Sequence, residues 1–210
     1  MVQQRATATR RGILLAAAHV FEAKGFDAAT IADIVQHAQC TKGALYFHFP
    51  SKEALAEAIA AEQGVWVAAH SVPGEQPVQQ VVDGSFAFAR ALRDDVVLRA
   101  SIRLTVQTAG FDGRTAQGYR MFADAILAHL RAAHARGLLL EGLRLPAVAE
   151  CITACVTGTQ MVSEALSGHE DLTRRLTLFW RLLLPSVVTP DHLAGLRLTP
   201  PRRAASRPPG

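Results

Sequence analysis

The sequence predicts an all-α protein. Apolar residues recur at helical spacing along most of the chain, no stretch keeps a period of two, and start and stop residues bracket the periodic runs. Asp-Gly at 83–84 and at 112–113 lacks alternating segments on both sides, so neither pair marks a hairpin. Half of the 210 residues are hydrophobic, enough to bury a sizeable core.

The first helix is expected from about Thr7 to Lys24, with Ile13, Leu14, Ala17, Val20 and Phe21 as its apolar stripe and Gly25 as its stop. Thr30 opens a second helix, and Asp33 three residues later completes a capping-box-like pair. Thr41 caps a third. Ser51, just after Pro50, caps a fourth that reaches about His70. Ser71-Val-Pro-Gly breaks the pattern. Further helices are expected at about 77–92, 94–109 and 115–136, from Pro146 to about Leu166, and from about Asp171 to Leu184, where Pro185 stops the last. The tail carries Pro200, Pro201, Pro208 and Pro209 among arginines and is expected to be disordered. This gives a small head at 1–50, a helical body at 51–188 and a loose tail at 189–210.

No apolar run is expected to reach the roughly 18–20 residues that cross a bilayer. The start, MVQQRATATRR, has no apolar secretory core. A cytoplasmic protein without a membrane partner is therefore expected. Three cysteines, an odd number, argue against disulfides; Cys151 and Cys155 read as small buried hydrophobes and not as metal ligands. No nucleophile elbow, phosphate loop or zinc-protease motif occurs, so neither catalysis nor a metal or other cofactor is expected.

Charge placement says more than net charge, which is only +4. Residues 1–52 hold six basic residues (Arg5, Arg10, Arg11, Lys24, Lys42, Lys52) against three acidic ones, and none of the acids precedes Glu22. The second and third helices are joined by only four residues, His37-Ala-Gln-Cys, which fits a helix-turn-helix whose second helix enters a major groove. Thr41 and Lys42 stand at that helix's N-terminus, where hydroxyl, ammonium and free N–H groups meet phosphate. Gly43 is small enough for close approach to base edges. Tyr46, Phe47 and His48 are large, and aromatic rings pack on thymine methyls or sugars. Lys52, Arg10 and Arg11 are further phosphate candidates. Read blandly, Tyr46 and Phe47 would be core residues of an ordinary helical bundle.

The stretch 26–59 resembles the N-terminal signature of the TetR family: a Thr-Ile opening, two short helices, Lys-Gly-Ala-Leu-Tyr-Phe-His-Phe, then Ser-Lys-Glu-Ala-Leu. The resemblance implies a TetR-like fold and carries DNA contacts onto Thr30, Thr41, Lys42, Gly43, Tyr46, Phe47, His48 and Lys52. The turn departs from the family's usual Ala-Gly-Val, with Ala38-Gln39-Cys40 in its place. A positive φ at Gln39 would cost energy that glycine avoids.

The resemblance further implies a homodimer built on the last two long helices, gripping a near-palindromic double-stranded operator. The surplus apolar residues of the final helix, among them Leu172, Leu176, Phe179, Trp180 and Leu183, suit that interface. KGALYFHFPSKEALAEAI, VLRASIRL and VTGTQ resemble the γ-butyrolactone-receptor branch of actinobacteria. That branch senses butyrolactones, butenolides or furan carboxylates and controls antibiotic clusters. It implies Gln63 and Thr159 as polar contacts to a small-molecule effector. It also places a common pocket tryptophan at Phe122, with Tyr119 one turn earlier, so that tryptophan is missing here. Trp66, Phe86, Phe88, Leu98, Ile102, Val106 and Phe122 are apolar lining candidates, each of which also suits an ordinary core. A TetR-type sensor of antibiotics or other lipophiles is the alternative.

Overall fold

The computed structural model describes residues 2–107 and 114–200, with side chains over 5–104 and 117–200. Nine longer helices are present among them: α1 (Val2–Ala28), α2 (Ile31–Ala38), α3 (Lys42–His48), α4 (Lys52–Ala69), α5 (Pro77–Asp94), α6 (Val96–Gln107), α7 (Arg114–His134), α8 (Leu145–Ser167) and α9 (Leu172–Leu183). A short α10 (Pro190–Leu193) follows. No β-strand occurs among the described residues; Leu139 and Val188 form a single isolated bridge. The all-α expectation holds.

The chain divides into two compact units: residues 1–69 with 91–121, and residues 70–90 with 122–210. The first joins α1–α4 to α6, across the boundary expected at 50/51. Its core packs Ile13, Leu14 and Phe21 of α1, Ile34 of α2 and Leu45 of α3 against Leu55 and Ile59 of α4 and Val97 and Ala100 of α6. Polar groups fix α6 to α1. The Arg99 guanidinium pairs with the Glu22 carboxylate, donates to the carbonyls of Leu92 (3.0 Å) and Arg93 (2.7 Å), and Arg103 donates to the Glu22 carbonyl. The Asp95 carboxylate caps α6 by accepting from the N–H groups of Val97 (2.8 Å) and Leu98 (3.2 Å).

In the second unit, Trp180 is 1% exposed and donates through Nε1 to Ser85 Oγ at 2.8 Å; that hydroxyl donates to the Val82 carbonyl at 2.7 Å. The α8–α9 turn is held by Asp171. Its carboxylate accepts from Ser163 (2.7 Å), Ser167 (2.9 Å), Arg174 (3.1 Å) and Arg175 (2.7 Å), and the Arg175 bond leads the causes that hold the carboxyl far below its usual range.

Several expectations are corrected. α1 starts at Val2 and not at Thr7, while Gly25 (φ 77°, ψ 170°) leaves helical backbone and breaks α1 where the stop is expected. The tail is fixed over its first part. Gln79 and the Arg197 backbone exchange hydrogen bonds of 3.0 and 2.8 Å, and the Arg197 guanidinium meets Asp83 at 2.9 Å. Residues 201–210 lie outside the described residues. Cys151 and Cys155 are exposed. They stand on an open face of α8 that also carries Gly158, Met161 (50% exposed), Val162 (46%) and Leu166 (70%). That helix is long and apolar enough by length and composition to cross a membrane, contrary to the expectation that no apolar run reaches that length. On α9, Leu178 (54%) and Leu182 (71%) are similarly open.

Candidate functional site

The head is built by local capping. Thr30 Oγ1 accepts from the Asp33 N–H (3.1 Å), and Asp33 accepts from the Thr30 N–H (3.1 Å) and hydroxyl (2.8 Å), which completes the box that starts α2. Lys24 sits 2.8 Å from the other Asp33 oxygen. That contact, followed by the Thr30 hydroxyl, lowers the Asp33 carboxyl to about 2. α2 ends at Gln39 in the left-handed region (φ 49°, ψ 42°), so the turn does force a non-glycine residue to positive φ. Thr41 then accepts from Ala44 N–H at 3.1 Å to start α3, and Ser51 accepts from Ala54 N–H at 3.0 Å to start α4.

This places the expected DNA contacts unequally. Leu45 is buried, which leaves Thr41, Lys42, Gly43, Tyr46 and Phe47 exposed on α3. Phe47 is 82% exposed and Tyr46 42%, which excludes the reading of both as core residues. His48 is half-buried, edge-on to the Phe47 ring at 5.1 Å. Arg10 lies over the Phe49 ring at 4.7 Å, and Arg11 pairs with Glu62 at 3.3 Å. Thr30 spends its hydroxyl in the capping box. Lys52 is also committed within the protein. Its ammonium donates to the carbonyls of Phe26 (2.9 Å) and Ala29 (3.0 Å) and lies 4.4 Å from the Phe26 ring centre. Two of its three donors are used, leaving one for phosphate.

Of the expected effector contacts, Gln63 lines a cleft of about 620 Å³ in the first unit, with Phe26, Glu57, Val67, Leu104 and Met121 on its walls. Sequence reasoning passed over most of these lining residues. The readable signal was glycine inside helices. Gly64 faces Met121 Cε at 3.0 Å from where its Cβ would be, and Gly118 faces Gln63 Oε1 at 3.6 Å, so both helices approach closely there. Leu98 is core at 2% exposed, while Trp66, Ile102 and Tyr119 are half-buried. In the second unit Phe86 (3%) and Phe88 (8%) are both buried. Phe88 meets Phe122 edge-on at 5.6 Å, and Thr159 is half-buried on α8. The Val106 side chain lies outside the described residues. Among the described residues no cluster of three metal-ligating side chains occurs.

Residues 13–59 match the family described as bacterial regulatory proteins, tetR family, and residues 77–189 match the tetracyclin repressor-like C-terminal domain. The chain is 40% identical over 198 residues to the A-factor receptor protein of Streptomyces griseus, covering 93% of this chain and 69% of that protein. Its structure resembles that of full-length TylP, a TetR regulator of Streptomyces fradiae, with a TM-score of 0.77, 38% identity and coverage of 91% and 92%. It also resembles CprB of Streptomyces coelicolor in complex with its operator sequence, with a TM-score of 0.76, 30% identity and coverage of 91% and 94%. The chain belongs to the TetR family of bacterial regulatory proteins.

Proposed function

We propose that the protein is a cytoplasmic, non-catalytic repressor that grips a near-palindromic operator as a homodimer and is released by a small diffusible autoregulator. The observation that carries the DNA part is α3. A helix that buries Leu45 while leaving Phe47 82% exposed, next to Thr41 and Lys42 at its N-terminus, fits a groove and wastes apolar surface in water. The operator complex of the similar CprB supports that reading. Thr30 and Lys52 orient the helix; Thr41, Lys42, Gly43, Tyr46 and Phe47 touch DNA.

The open faces of α8 and α9 supply the dimer. Leu166, Leu178 and Leu182 are more than half exposed on the protomer, and a two-fold interface would cover them and set the recognition helices roughly 34–36 Å apart.

Similarity to the A-factor receptor supports an effector of the γ-butyrolactone, butenolide or alkylated furan carboxylate class, with control of antibiotic biosynthesis as the output. Gln63 on α4, which lines the cleft of the first unit, is its polar contact under this reading. Release is a population shift, so the effector must bind the DNA-incompetent state more tightly than the competent one. Phe26 links cleft and head. Its ring lines the cleft that holds Gln63, and its carbonyl holds Lys52 at the start of α4.

The test is operator binding by the purified protein with and without each effector class. Wild type should bind at moderate salt and let go with one class, and Phe47→Ala should lose about tenfold in affinity with little change in stability. Release by antibiotics and not by the panel would favour the lipophile sensor, and failure to bind operator would remove the repressor reading.

A further inference from the structure

His19 on α1 and His37 in the last turn of α2 bring their rings to a centroid separation of 5.2 Å, with the planes tilted by 40°. Both residues are exposed, and among the described residues neither ring makes a hydrogen bond or an ion pair. A neutral imidazole keeps one nitrogen as a bare acceptor, and that nitrogen is the commonest ligand of protein-bound metal ions. The contact therefore brings two free lone pairs together from different helices.

The spacing is that of a chelate. An imidazole nitrogen bound to zinc stands about 2.0–2.1 Å from the ion. The lone pair points outward from the ring centre, which places that centre roughly 3.2 Å from the ion. Two such rings at the tetrahedral angle have their centres about 5.2 Å apart. Turning about χ2 leaves each ring centre almost in place and swings a nitrogen toward the shared point, and this torsion is soft in histidine. Asp33, one turn before His37 on α2, does not add a third ligand. Its oxygens are held by the Lys24 ammonium (2.8 Å) and the Thr30 hydroxyl (2.8 Å). Two protein ligands fall short of the four of a closed structural zinc site, so water fills the other positions and the ion exchanges with solution.

We propose that His19 and His37 form a two-histidine site for zinc or a similar transition-metal ion that takes imidazole ligands. Magnesium and calcium, which take oxygen ligands, have no place there. The ion ties the last turn of α2, immediately before the left-handed residue Gln39, to α1. The pair exists only in the folded head, so the ion stabilises the fold by mass action. Neither operator nor effector is needed.

The experiment titrates zinc chloride into the full-length protein carrying Cys151→Ser and Cys155→Ser, which removes the exposed thiols of α8 as competing ligands. At zinc about a hundredfold above the dissociation constant, Tm should rise by roughly 5–10 °C, and magnesium chloride should leave it in place. His19→Gln and His37→Gln change exposed side chains and should fold with Tm within about 1 °C of the parent when no metal is added. Each should weaken zinc binding at least about tenfold. In the parent, the imidazole ¹⁵N resonances of His19 and His37 should move ahead of those of the other histidines. No rise at about 1 mM zinc, an equal response to magnesium, or a rise that persists in both histidine variants would overturn the proposal. None of these results would touch the repressor reading.

Discussion

Replacing Lys52 by methionine separates two roles for one side chain. The ammonium donates to the carbonyls of Phe26 (2.9 Å) and Ala29 (3.0 Å). These carbonyls lie at the C-terminal end of α1, where helix carbonyls run out of intrahelical partners and a cation is favoured. A hydrogen bond from a charged donor contributes about 1.5–3 kcal/mol. Two bonds from one half-buried ammonium do not simply add, and the flexible stem must be held still. The Phe26 ring, 4.4 Å away, contributes about 0.5 kcal/mol more. Methionine keeps the apolar stem and removes only the charge. The expected loss is about 2–3 kcal/mol. At a urea dependence of roughly 2 kcal/mol/M, the midpoint followed by circular dichroism should fall by about 1–1.5 M. A side chain spent on phosphate predicts something else: unchanged stability and a salt dependence of operator affinity shallower by about one ion. A midpoint shift below about 0.25 M together with that shallower slope would refute the internal tie.

Asp33 should shape the acid limb of stability. Its carboxyl is lowered from 3.8 to about 2, first by Lys24 and then by Thr30, so its contribution is full above about pH 4 and disappears as pH falls toward 2. Asp33→Asn should therefore flatten the fall in Tm over that window, and an unaltered profile would argue that the pair does not persist in solution. Gln39→Gly should raise stability by about 0.5–1 kcal/mol by relieving the left-handed turn, seen as a higher Tm. Leu178→Glu with Leu182→Glu should leave the fold intact and weaken self-association by at least about a hundredfold in sedimentation. A variant that stayed dimeric would move the interface away from α9.

What the sequence made legible was local. The caps at Thr30, Thr41 and Ser51 each act on an N–H three residues ahead, and all three form. The strain at Gln39 was readable because the turn's geometry depends on neighbouring residues. Long-range partners gave no such signal. Arg99 meets Glu22 across 77 positions, and Gln79 meets Arg197 across 118. The second of these fixes the first part of the tail, around Arg197, where a loose chain is expected. Lys52 reads from sequence as a charge near DNA, but nothing local reveals that its ammonium folds back onto two carbonyls. Cys151 and Cys155 read as core because cysteine is so often buried. Their spacing with Gly158 and Val162 follows the same open stripe, and that pattern was present to be read.

The shared core of the first unit bears on how such regulators can be recombined. Phe21, Leu45 and Ile13 are sealed by Leu55 and Ile59 from α4 and by Val97 and Ala100 from α6, and Arg99 clasps α1 from outside. Cutting at residue 50 to graft this head onto a foreign body would leave that apolar surface open and the Glu22 carboxylate without its clasp. A working chimaera has to carry α4 and a matching α6 as well. The heritable unit of DNA recognition in this chain is therefore larger than its helix-turn-helix and discontinuous in sequence.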